Sequence, residues 1–224
     1  DAHGNNTAVG YRALKDLNAG ATGNNTAVGY NSGANITTGT SNTVVGANAG
    51  DALTEGADNV AIGSFALSAE DTTGRNIAIG RNSLLVANST SGNANNVAIG
   101  YNAGASVTTG TENVFVGSFT GDGTDDGTEN VAVGKSALSG NCGDDNVAVG
   151  KDSLEVTTGS SNTAVGMSAG KSVTTGISNQ FIGKDAGDSC TTGSKNVCIG
   201  RNTNPDASGA DNVICIGHDI TAVL

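Results

Sequence analysis

Bulky core residues are what this 224-residue chain has least of: no Trp, one Met, three Tyr and four Phe. Burying such side chains, at about 1.5–3 kcal/mol each, ordinarily holds a globular core together. Their scarcity excludes a thick core; the apolar content is mostly Ala, Val and Ile, which suits a thin, long one. Positive charge is also scarce, with 10 Lys plus Arg against 21 acids and a formal net charge of −11. That balance disfavours nonspecific attraction to nucleic acid or anionic lipid. No apolar run approaches the ~20 residues of a spanning helix, so membrane insertion is not expected. The opening Asp1-Ala2-His3-Gly4 has neither an initiator Met nor a signal-peptide pattern, as expected of a processed chain or a segment of a longer one.

What the chain has in excess is repetition. A unit of Asn, three apolar or Thr residues and Gly recurs thirteen times, for example Asn25-Thr26-Ala27-Val28-Gly29 and Asn96-Val97-Ala98-Ile99-Gly100. One copy has Gln180, and the last, Asn212-Val213-Ile214-Cys215-Ile216-Gly217, carries one extra residue. Its closing glycines run from Gly10 to Gly217, mostly 16 or 17 residues apart, with intervals of 19 and 20 as exceptions. A fixed period of this kind marks a repeat architecture. After each core Gly comes Ala-Gly, Ala-Leu or Ser-Leu, as at Ala49-Gly50 and Ala66-Leu67, and then a polar stretch such as Thr174-Thr175-Gly176. Two short apolar segments joined by two Gly-bearing turns predict one flattened coil per repeat. The whole chain, 1–224, reads as one all-β solenoid domain of about 13 coils of 16–17 residues, its core repeats spanning 4–217. Insertions near 11–22 and 85–95 are expected to bulge from a turn.

The column before the core Gly is Val or Ile throughout. The column before that is Ala in eight coils, with Val44, Phe115, Phe181, Cys198 and Cys215 among the rest. Three consecutive apolar residues imply two partly dry faces, because alternate strand side chains point oppositely. The Val/Ile column is expected to line the lumen. The Ala column is expected to meet a second copy, with Phe115 or Phe181 plugging a gap on a symmetry axis. The Asn column is expected to hydrogen-bond from coil to coil and to satisfy turn backbone.

The motif Asn-Thr-Ala-Val-Gly-x-x-Ala-Gly resembles the head repeats of YadA-like trimeric autotransporter adhesins and similar repeats in phage and virus tail fibres. The resemblance covers residues 4–217, although the adhesin repeat is usually nearer fourteen residues. It implies a left-handed parallel β-roll, a homotrimer, and adhesion to a cell-surface glycan or protein receptor from an extracellular, cell-surface or virion-surface position. It implies no catalytic centre and no cofactor.

Sites of chemistry are few. Hexapeptide acyltransferases need an aliphatic residue every six positions and a catalytic His, whereas here the only histidines are His3 and His218. Calcium-binding nonapeptides and EF-hand loops are absent, so the acids at Asp122, Asp125, Asp126, Asp144 and Asp145 read as solvated turns. No Cys-x-x-Cys spacing suggests zinc. Cys198 and Cys215 share a column in adjacent coils, close enough for a disulfide or for packing as free thiols.

The variable residue after the core Gly marks an exposed column. In it Lys135, Lys151, Lys184 and Arg201 form a basic stripe, readable as pairing with acids such as Glu129 or Asp145 of an adjacent chain, or as a dock for an acidic glycan. Tyr11, Tyr30 and Tyr101 of the same column are candidate sugar-stacking residues. The expected function is a non-enzymatic fibre or adhesin segment. A self-assembling filament subunit is the alternative, because the repeats run nearly to both ends. Ice binding ranks below both: it needs a flat Thr array on a strand face, whereas the Thr-Thr-Gly threonines sit in turns and skip coils.

Overall fold

A computed structural model describes residues 4–18, 23–69, 72–89 and 92–222, so His3 and parts of both longer repeats lie outside the described residues. The chain is all-β, a parallel β-solenoid of about twelve turns. Its coordinates divide into two compact units, Asp1–Asn113 and Val114–Leu224.

The first unit stacks β1 (Thr7–Val9), β2 (Thr26–Val28), β3 (Thr43–Val45), β4 (Val60–Ile62), β5 (Ile77–Ile79) and β6 (Val97–Ile99). Each pairs with the next in parallel, residue over residue. The second unit repeats the scheme with β7 (Val114–Val116), β8 (Val131–Val133), β9 (Val147–Val149), β10 (Thr163–Val165), β11 (Gln180–Ile182) and β12 (Val197–Ile199). There β13 (Asn204–Pro205) precedes β14 (Ile214–Ile216), which pairs with β12, while β13 itself pairs with β15 (Thr221–Ala222).

Strands are three residues long because Asn and Gly end them chemically. Gly29 closes β2 at φ +140°, and a Cβ there would stand 2.5 Å from the carbonyl oxygen of Gly46 on the next rung. Only Gly combines that backbone angle with that approach. At the other end Asn25 is fully buried. Its Nδ2 donates to the carbonyl of Gly39 at 2.8 Å, and its Oδ1 accepts from the backbone N of Asn42 at 2.9 Å. The expected coil-to-coil Asn ladder is therefore present.

Among the described residues, the expected second strand of the coil forms only at Asn204–Pro205 and Thr221–Ala222. Elsewhere the stretch alternates φ sign instead: Gly29 +140°, Asn31 +52° and Gly33 +55°. Rung-to-rung bonding persists, with Asn31 N donating to Tyr11 O at 2.9 Å and Gly33 N to Ala49 O at 3.0 Å. Alternating hand folds the chain back on itself in a few residues, which an extended strand cannot do. Leucine also occupies this left-handed position, at Leu67, Leu84, Leu138 and Leu154. That conformation costs about 1–2 kcal/mol, and complete burial of the side chain offsets it. Where Gly stands instead, other buried side chains fill the space: Ile36 beside Gly33, Leu53 beside Gly50, and Phe181 with Leu154 beside Gly170.

The two faces of the strand are the reverse of the sequence expectation. Ala27, Val44, Ala61, Ala98, Ala132, Ala164, Cys198 and both Phe115 and Phe181 point into the lumen and are fully buried. The Val/Ile column lies outside, with Ile62 at 37%, Ile99 at 38% and Val133 at 38% exposure. Val28, Val45 and Ile62 do stack in one line, but on the outer wall. The physical reason is room. A coil closed in 16–17 residues already buries large side chains from its second half, such as Ile36, Leu53 and Leu67, so the smaller column of the strand faces in. Phe115 and Phe181 fit because glycines face them: a Cβ on Gly121 would lie 2.5 Å from the Phe115 ring, and one on Gly170 2.7 Å from that of Phe181. They are lumen fillers and plug no symmetry axis.

Candidate functional site

The fold leaves the outer wall of the strands uncovered, with Ile62, Ile99, Val133 and Ile182 exposed on it. In β2–β6 of the first unit, and in β7–β12 and β14 of the second, the first and third residues project from it, flanking the buried central residue. In the first unit the first column runs Thr7, Thr26, Thr43, Val60, Ile77, Val97, and in the second unit it is Val in four of seven strands. Contiguous β-branched side chains at partial exposure form an apolar strip, and strips of this kind mark contact surfaces.

Beside this wall runs the column that follows the core Gly. Its alignment is fixed by backbone bonds such as Asn48 N to Tyr30 O at 2.9 Å and Asp152 N to Lys135 O at 3.0 Å. In the first unit it carries Tyr11, Tyr30, Ala47, Ser64, Arg81 and Tyr101. Tyr11 and Tyr30 are neighbours with stacked rings, centroids 5.4 Å apart and planes 12° apart. Tyr101 stands in the same column beyond three intervening rungs, and all three tyrosines are exposed.

Lys135, Lys151, Lys184 and Arg201 occupy this column in the second unit, all exposed. Lys151 meets Asp152 at 3.2 Å and Lys184 meets Asp185 at 3.3 Å, each the next residue in its own turn. His218 repeats the arrangement with Asp219 at 3.0 Å. Lys171 bridges to Glu155 at 3.0 Å, which raises the pKa of its ammonium above the usual lysine value. Within the chain, then, the carboxylates beside the stripe are Asp152 and Asp185. Glu129 and Asp145 lie in the turn ahead of the strand, at positive φ. The Lys-Asp dipeptide was the signal for this local pairing, and periodicity alone does not reveal it.

The acidic and threonine turns serve the stack. Asp144 Oδ1 accepts from Thr128 N at 2.8 Å and from its hydroxyl at 3.1 Å. Burial raises the Asp122 carboxyl above the usual range, with a Ser139 hydrogen bond opposing. The hydroxyls of Thr37, Thr174 and Thr191 each donate to a carbonyl on the next rung. A second polar ladder escaped the sequence reading: Asn31 Nδ2 donates to Asn48 Oδ1 at 3.1 Å, and Asn82 Nδ2 to Asn102 Oδ1 at 3.0 Å. The recurrence of Asn two residues after the core Gly was its visible trace.

All four cysteines are free and buried. Cys198 and Cys215 are register partners in β12 and β14. Burial, then the neighbouring thiols Cys215 and Cys190, push Cys198 up to about 12. Burial likewise pushes Cys142 to about 11, against a hydrogen bond from Thr124. Such thiols are weak nucleophiles at neutral pH.

Compared with known proteins, the chain matches no family model, no curated protein and no solved structure.

Proposed function

We propose that this chain is a non-enzymatic structural segment of a surface fibre or adhesin, acting as a rigid spacer and host- or surface-binding element. The observation that carries the proposal is the column of Val and Ile that ends each main-sheet strand, partly exposed on the outer wall in both units. A lone chain holding that strip in water forgoes about 25 cal/mol for each Å² left uncovered. Copies of the same chain, set side by side, cover it without any other element, and a homotrimer is the arrangement proposed. The variable column beside the wall then remains outside, available to a glycan or protein receptor, on an extracellular, cell or virion surface. Rigidity comes from the rung-to-rung hydrogen bonds and the buried Asn ladder that run through the described residues of each unit.

The solution mass of the isolated chain tests this. Three times 21.8 kDa is expected, and replacing Ile62, Ile99 and Ile182 with Ser should shift it to the single-chain mass. A monomer at micromolar concentration would end the trimer proposal. Long fibres growing with concentration under the electron microscope would favour the filament alternative.

A further inference from the structure

We propose that Tyr11 and Tyr30 form a stacking platform for an uncharged saccharide ring. The inference rests on the adhesive reading above and deepens it by naming the ligand class. Of the seven aromatics, Phe65 and Phe119 lie at positive φ in turns. Phe115 and Phe181 fill the lumen, whereas all three tyrosines stand in the exposed column after the core Gly. Nothing in the fold requires a ring there, because Ala47 and Ser64 occupy the same column on the next two rungs.

The rings are stacked at 5.4 Å and are 66% and 53% exposed. With Tyr11 against one face, the other face of Tyr30 looks along the column toward Ala47 and Ser64, whose side chains are too short to cover it. Arg81 stands on the rung after these, also exposed. Successive rungs rise by about 4.8 Å, so Arg81 stands three rungs, about 14 Å, beyond Tyr30, room for a pyranose ring on Tyr30 with further sugars toward Arg81. The C–H face of such a ring packs on an aromatic face, while hydroxyls of the further sugars meet Ser64 and the Arg81 guanidinium.

Charge selects the ligand. An acidic glycan would approach a chain of net charge −11, and two of the four cations in the column of the second unit are already paired. Lys151 and Lys184 are already held by Asp152 and Asp185 at 3.2 and 3.3 Å. An uncharged sugar meets no such barrier.

The chain has no Trp and three Tyr, so intrinsic tyrosine emission and the tyrosine ring proton resonances report binding directly. Maltohexaose, cellohexaose and N-acetylchitohexaose are the neutral probes, with a hyaluronan hexasaccharide as the acidic one. At least one neutral probe should perturb the Tyr11 and Tyr30 resonances saturably. Tyr30→Ala should weaken that binding tenfold or more, and Tyr30→Phe, which keeps the ring, should retain it. Thermal melts of both variants should match the parent chain. The proposal is overturned if no neutral probe binds below ~10 mM, the weak end of measurable affinity. Tighter binding of hyaluronan overturns it, as does undiminished binding by Tyr30→Ala. So does a change in solution mass caused by Tyr30→Ala, which would mean that a second copy covers the pair. Loss of the platform leaves a trimeric, surface-binding chain intact; a monomer that still binds the sugar sinks the fibre reading alone.

Discussion

Asn179 donates twice to a single atom of Asn162, from its backbone N and from its Nδ2, each at 3.0 Å to Oδ1. Asn162 in turn donates to Asn146 Oδ1 at 3.2 Å and to the carbonyl of Gly176 at 2.9 Å. Every bond is fully buried, so each side chain holds its neighbours' polar groups out of debt to water.

Asn162→Ala should therefore leave several buried partners unmade, at roughly 1–3 kcal/mol apiece. A loss of about 3 kcal/mol or more is expected in urea unfolding. A loss under 1 kcal/mol would show that the ladder is incidental.

The inverted columns give a second test. Ala98 is fully buried, and Ile99, the next residue, is 38% exposed. Ala98→Asp puts a charge in a dry lumen and should cost about 4 kcal/mol or more. Ile99→Ser should cost less than about 1 kcal/mol in a dilute single chain. The opposite order, read by circular dichroism melts, would restore a Val/Ile lumen.

Phe181 and Gly187 make a third. Gly187 lies against the Phe181 ring at φ +69°, so Gly187→Ala both strains the backbone and strikes the ring. Phe181→Ala should cost about 3–5 kcal/mol through the cavity it leaves. In that background Gly187→Ala should cost less than in the parent chain. Strict additivity in the double-mutant cycle would show that the two do not share one space.

Lumen volume should be exchangeable along a rung. Leu84 is followed three residues later by Ala87, and Gly104 by Val107, all buried. Leu84→Gly alone opens a cavity worth about 2–5 kcal/mol. Adding Ala87→Val should recover part of it, as chemical denaturation would record. No recovery would mean that the two positions do not fill the same volume.

The thiols set an alkaline limit. Cys142 and Cys198 are raised to about 11 and about 12 in the folded chain, above the ~8.5 of a free thiol. Between these values the unfolded chain has released protons that the native chain retains, so stability is complete below about pH 8.5 and falls as pH rises toward 12. Melts from pH 7 to 11 should decline, and a Cys142→Ala/Cys198→Ala chain should decline less. A maleimide should label none of the four thiols quickly at pH 7 and all of them in denaturant. Rapid native labelling would contradict the burial.

Much of this architecture was legible before any coordinates. The recurrence from Gly10 to Gly217 requires stacked rungs, because thirteen copies of one short strand have only each other to pair with. The Asn column announced a ladder, since an amide that both donates and accepts can bond its own copy above and below. Exposure of the column after Gly followed from its variability, and Tyr11, Lys151 and Arg201 all stand outside. The second half of the rung was less legible: Ala66-Leu67 looks like a strand fragment, and only the backbone shows Leu67 left-handed at φ +52°.

The sequence by itself determined the period, the parallel register and the residues that end each strand, because these depend on hydrogen-bonding groups recurring at fixed spacing. Only the tertiary structure decided which side of the strand faces inward. Three successive apolar residues are compatible with either choice, and the closed rung settles it: Ala61 is fully buried while Ile62 stays 37% exposed. The same closure left the Val/Ile strip outside and brought the Tyr11 and Tyr30 rings together, and neither result can be read from one rung alone.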